Sequence, residues 1–248
     1  MAFDFPASPT PGQIYAPAGG PVYTWNGSAW GSEFSTPLTR IVTTLVTTSG
    51  TYTKPAGLRY LEIEAQGAGA GGSGAVATTA GQFIAGGSSG AGAWGLIGLD
   101  GSAVPASFSM TIGAAGTSGV GAGGTAGGST IAIGTAGGGA PGAFSAAVTA
   151  IANYFGGSGG AASGFDLNVA GAAGGTTTVM VNGTWGYVGA AGYSRYGWSR
   201  PAFLAINSPG ISAAGYGAGG GGCINASGRP AETGGAGTPG LIILREYF

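Results

Sequence analysis

Apolar strands that run straight into glycine limit what this chain can fold into more than any other feature. Tyr60 to Ala75 reads YLEIEAQGAGAGGSGA. In its first half Leu61, Ile63 and Ala65 fall on one face of a strand, and Tyr60, Glu62 and Glu64 on the other. Its second half has almost no side chains. Similar tracts occupy roughly 67–92, 113–142, 156–175 and 215–240. Around, between and, once, within them lie segments rich in Val, Ile, Thr and aromatics, the residues that favour strands: Arg40 to Thr48, Leu58 to Gln66, Trp94 to Leu99, Phe108 to Ile112, Thr130 to Ile133, Thr177 to Val181 and Leu241 to Tyr247. Tyr52 to Gly57 reads as a turn, and Ala143 to Phe155 as the one stretch able to form a short helix.

Three structures suit a glycine tract. A flexible linker is one, but linkers rarely alternate with strands this apolar. Collagen is another, but it needs glycine at every third place and far more proline. The stretch Gly113-Ala-Ala-Gly116-Thr-Ser-Gly119 keeps that period only briefly. The third is a bundle of polyglycine helices of polyproline-II shape, with three residues per turn. Their amides point sideways, and without Cβ atoms neighbouring helices approach closely enough to exchange N–H···O=C bonds. Ordering each glycine costs roughly 0.5–1 kcal/mol more than ordering alanine, so only a cooperative, satisfied array offsets it. The expected fold is therefore all-β: a β-sandwich with packed polyglycine helices over 34–248, preceded by a small β module over 1–33. In that module Ile14-Tyr15, Val22 to Trp25 and Ala29-Trp30 read as short strands, with Trp25 and Trp30 as its core.

The remaining composition excludes whole function classes. The chain has 58 glycines in 248 residues, yet 44% of it is hydrophobic, so it does not read as a disordered polymer. Seven basic residues against eight acidic ones leave no basic stripe for nucleic acid. There is no histidine, which removes Ser-His-Asp and Cys-His catalysis and histidine metal sites. Cys223 is the only cysteine, so no internal disulfide is expected. Glu62 and Glu64 share a face, as a hydrolase pair might, but a solvated strand face is the plainer reading. No catalytic residue, metal or cofactor is expected. The N-terminal MAFDFPASPTPG has no basic or apolar segment of a signal peptide, and no run of apolar residues is long enough for a transmembrane helix.

The stretch TYTKPAGLRYLEIEAQGAGAGGSG (51–74) resembles the entry strand of the glycine-rich domains at the ends of bacteriophage tail fibres and adhesins. SFSMTIG (107–113) with its following glycine tract is similar to their second signature, and GTPGLIILREYF (237–248) to their closing strand. FDFPASPTPGQIY with YTWNGSAW is similar to short modules on phage structural proteins. The resemblance implies a virion appendage made in the host cytoplasm, a β-sandwich carrying polyglycine helices, and host contact. It leans toward a homo-oligomer, with a trimer favoured, and toward residues 1–33 packing on other virion proteins. Long non-glycine insertions at 143–155 and 176–209 depart from the simplest family pattern.

The second insertion holds the candidate receptor-binding residues: Trp185, Tyr187, Tyr193, Arg195, Tyr196, Trp198 and Arg200, with Phe203 beside them. Aromatics with a few arginines are hot-spot chemistry. Aromatic faces stack on sugar rings, and arginine forks hold carboxylates or phosphates. The partner expected is a host-surface glycan or an outer-membrane protein. The same aromatics would also serve to cover the end of the sandwich. No acid lies near Arg195 and Arg200 in sequence, Asp166 being the closest. A virion protein with no receptor remains open, and an enzyme such as a glycan depolymerase is less favoured because acids are scarce and histidine is missing.

Overall fold

The computed structural model describes residues 5–16, 22–32, 40–179, 186–200 and 207–248. The described residues are all-β, as the strand pattern requires, and none of them is helical. They divide into two compact units, Met1–Ile41 with Tyr247–Phe248, and Val42–Glu246.

In the small unit Ile14–Tyr15, Tyr23–Trp25 and Trp30–Ser32 form a three-stranded antiparallel sheet. Asn26 turns the chain between the last two: its Oδ1 accepts from the backbone N–H groups of Ser28 and Ala29, and Gly27 takes a positive φ that glycine adopts without strain. Trp30 stacks on Phe5 and meets Tyr15 and Trp25 edge-on or tilted. This ring cluster does for a very small unit what a larger aliphatic core would do.

The large unit has a sheet at one end, a glycine lattice in the middle and a second apolar core at the other end. The sheet has five strands in the order Leu167–Val169, Trp94–Asp100, Tyr60–Gln66, Leu241–Tyr247, Ile41–Val46. Tyr60–Gln66 pairs antiparallel with Trp94–Asp100, Ile63 opposite Ile97. Leu61, Ile63, Leu241, Ile242 and Leu244 are buried in its strands. The expected turn at Tyr52 begins later than the composition suggests. Gly50–Thr53 is a strand paired with Ser107–Met110, because Tyr52 buries its ring against Phe108 and donates its hydroxyl to Glu246. The chain turns at Gly57, where φ is positive.

Beyond Gln66 the backbone stays ordered, and its bonding has a period of three. Gly67, Ala70 and Ser73 donate to the carbonyls of Ala93, Gly90 and Gly87. Ala68, Gly71 and Gly74 donate to Gly128, Thr125 and Ala122, and Gly69, Gly72 and Ala75 to Thr238, Gly235 and Glu232. Each third residue thus returns to the same neighbour, which is the repeat of a three-residue turn. Three further stretches donate back: Gly116 and Gly119 to Gly69 and Gly72, Gly139 to Ala68, and Gly220 to Ala70. The span 67–74 therefore has neighbours on six sides, three accepting its N–H groups and three donating to its carbonyls. The span 86–93 is built the same way. It donates to 217–223, 137–143 and Ala172, and accepts from Ser73, from Gly157 and Gly160, and from Gly192. Buried serines fill in where side chains occur: Ser89 Oγ donates toward the Ala70 and Gly220 carbonyls, and Ser73 Oγ to Gly142.

The spans end in a core of Phe83, Ile84, Tyr154, Val179, Val188, Cys223 and Ile224. Burial pushes the Cys223 thiol up to about 12, so it stays protonated. The helix expected within 143–155 is absent. Ala143 N–H donates to the Phe155 carbonyl, Val148 bridges Phe83, and Ala152–Tyr154 pairs with Thr177–Val179. A lone helix of that length is marginal in water, and closing two spans onto the far core satisfies the same backbone better.

Amide exchange checks the lattice directly. Peptides covering 67–74 and 86–93 are expected to keep their protons long after the connection 76–82 has exchanged. Equal, fast exchange in all three would show that the spans are ordinary linkers.

Candidate functional site

Glu64 organises the sheet end of the large unit. It lies on the strand face expected to be solvated, yet its side chain is only 4% exposed. The reason is a set of donors from far along the chain. Arg245 Nη1 reaches Glu64 at 2.6 Å and also pairs with Glu62. Trp94 Nε1 donates to Glu64 Oε2 at 3.1 Å, and the Tyr196 hydroxyl donates to the same oxygen. Burial works against the charged carboxylate, but the hydrogen bonds from Tyr196, Arg245 and Trp94 outweigh it and hold Glu64 below the ordinary carboxylate range. Burial and the Glu64 carboxylate together push the Tyr196 hydroxyl up.

This cluster pins the segment 193–198. Tyr196–Trp198 pairs antiparallel with Ala214–Tyr216. Ser194 Oγ donates to the Tyr216 carbonyl. Arg195 lies over the Trp94 ring, 4.4 Å from its centroid, with its Nε 3.5 Å from Glu64. Arg195 thus finds its acid 131 positions away in the chain, while Asp166 instead accepts from the Gly98 N–H. Arg200 is exposed and lies 5.8 Å from the Trp198 ring centroid.

An open groove of about 520 Å³ runs beside this segment. One wall is the edge strand Leu167–Val169 with the residues after it, and the other is Tyr193 to Arg195; Gln66 and Trp94 line it between them. Leu167 and Val169 are exposed, and Tyr193 is 70% exposed. Gln66 is buried and gives its amide N–H groups to the Gly92 and Ala93 carbonyls, while its Oε1 has no donor among the described residues.

The candidate residues do not form one cluster. Tyr193, Arg195, Tyr196, Trp198 and Arg200 lie around the sheet end. Tyr187 lies in Gly186–Tyr187, which pairs with Thr177–Val179 at the far core. The span 189–192 separates the two groups, because it is part of the lattice. Trp185 and Phe203 lie outside the described residues. Tyr196 is half-buried with its hydroxyl engaged, so it holds the segment in place, whereas Tyr193 and Trp198 present their rings. The sequence reading missed Glu64, Trp94, Leu167 and Val169. Leu167 and Val169 carried a faint signal, two apolar residues on one face of a three-residue strand. Glu64 carried none.

Among the described residues, no three His, Cys, Asp or Glu side chains come together to hold a metal. None of the described helices is long and apolar enough to cross a membrane, since the described residues contain no helix. No known protein family matches the chain. No curated protein matches it either.

Proposed function

We propose that this chain is a structural protein of a bacteriophage particle, of the tail-fibre, spike or head-fibre kind, and that its sheet end contacts the host surface. The observation that carries this reading is the display of Tyr193 and Trp198, 70% and 56% exposed, with Arg195 between them on a segment tied down through Glu64. Exposed aromatic rings on a rigid support lose little freedom on binding, which favours a contact surface. The resemblance of the strand-to-glycine passages to phage appendage domains supplies the setting. Residues 1–33 would pack on other particle proteins, and the chain would act as a homo-oligomer, a trimer being favoured. The second reading is a decoration protein with no receptor.

Binding to cells separates the two. Purified protein of the first kind binds the susceptible bacterium, and the variant Tyr193→Ala/Trp198→Ala loses about 2 kcal/mol or more of that binding, roughly thirtyfold, with its melting temperature nearly unchanged. Protein that binds no susceptible strain supports decoration. Light scattering tests the association, and a monomer at high concentration refutes the trimer.

A further inference from the structure

We propose that the groove beside Arg195 binds a saccharide bearing a single carboxylate, with a sugar ring held between Tyr193 and the Leu167–Val169 wall. This deepens the reading of the sheet end as a contact surface and rests on it. The groove's volume, about 520 Å³, is that of a small-molecule site. Its chemistry is divided. Leu167, Val169, Ala170 and Ala172 make one side apolar, suited to the C–H face of a sugar. Tyr193 offers a ring from the other side, and its hydroxyl has no partner among the described residues.

Arg195 sets the charge. Its Nε faces Glu64 and the Tyr196 hydroxyl. Among the described residues its two terminal nitrogens have no partner, and they are the fork that grips a carboxylate. The Trp94 ring lies beneath the guanidinium. The local charges decide between anions. Glu62 and Glu64 are balanced by Arg245 and Arg195, and Asp166, whose carboxylate accepts from the Gly98 N–H beside the Leu167 wall, adds one negative charge before a ligand arrives. One added negative charge against the fork is tolerated there better than the near-double charge of a phosphate monoester.

The test uses the whole chain, with methyl glucuronide as probe, methyl glucoside as its neutral twin and inorganic phosphate as the rival anion. The readout is the indole N–H resonance of Trp94, assigned through its loss in Trp94→Phe. Glucuronide is expected to shift that resonance saturably, and glucoside to bind at least tenfold more weakly. Arg195→Gln and Tyr193→Ala are each expected to weaken glucuronide at least tenfold. Tyr193 is exposed, so its variant keeps the test standing even if Arg195→Gln unfolds. The proposal falls if glucoside binds as well as glucuronide, if phosphate displaces glucuronide at equal concentration, if no saturable shift is seen, or if the folded variants bind like the parent. No cells enter this assay. A failure here leaves cell attachment untouched, and a failure of cell attachment leaves a measured saccharide affinity in place.

Discussion

Gly72→Val is expected to destabilise the protein by more than about 4 kcal/mol, beyond the range of ordinary substitutions. A Cβ at Gly72 would sit on the carbonyl of Gly221, backbone against backbone, where no rotamer change relieves it. At about 2–4 °C per kcal/mol for a domain of this size, the melting temperature falls by roughly 10 °C or more, or soluble protein is lost. Gly220→Val is expected to behave alike, because its Cβ would meet the Gly235 carbonyl. Gly50→Ala is the control: nothing lies within 4 Å of a Cβ there, and a change within about 0.5 kcal/mol is expected. Thermal denaturation reads all three. A Gly72→Val protein that melts with the parent, its amides in 67–74 exchanging freely, would end the lattice account.

Glu64→Ala is the second large effect, about 2–4 kcal/mol. Three donors, from Trp94, Tyr196 and Arg245, lose one shared acceptor, and a donor left unpaired in a buried site costs about 1–3 kcal/mol. The loss stays below the full sum because Arg245 is partly exposed and keeps Glu62. Glu64→Gln keeps an acceptor and is expected to lose less. Acid separates the roles further. Glu64 has a lower affinity for protons folded than unfolded, so as pH falls below its ordinary value near 4.5 the unfolded chain takes up a proton first. The stability this group contributes is complete above that value and drains away as pH falls through the folded one. Denaturant melts between pH 6 and pH 3 should therefore show a steeper loss in the parent than in Glu64→Gln. Parallel curves would mean that the carboxylate is not held in its charged form.

The sequence declared the lattice more openly than the site. A strand such as Tyr60–Gln66 shows its buried face in its own alternation, and a tract without side chains leaves few structures to choose from. Both are local facts. The neighbours of Gly69, namely Gly116, Thr238 and Ala218, are dispersed over the chain, and no periodicity in one tract tells which other tract lies beside it. Glu64 was misjudged for the same reason. Its alternation placed it on the outward face, and only the return of Tyr196 and Arg245 to that face made it an interior group. The aromatics of the insertion 176–209 read as one cluster, and the place of 189–192 in the lattice is what holds Tyr187 away from Tyr193.

The bonds between spans lie across the direction in which the spans run. A pull from the sheet end to the far core therefore loads them in shear. In 67–74 the load is shared among six flanking stretches, so the bonds must fail together and not one after another as in an unzipping hairpin. Few side chains lie between the backbones to creep or repack under tension. Along that axis the middle of the large unit should behave as a short stiff rod, passing force applied at one end to the other with little stretch.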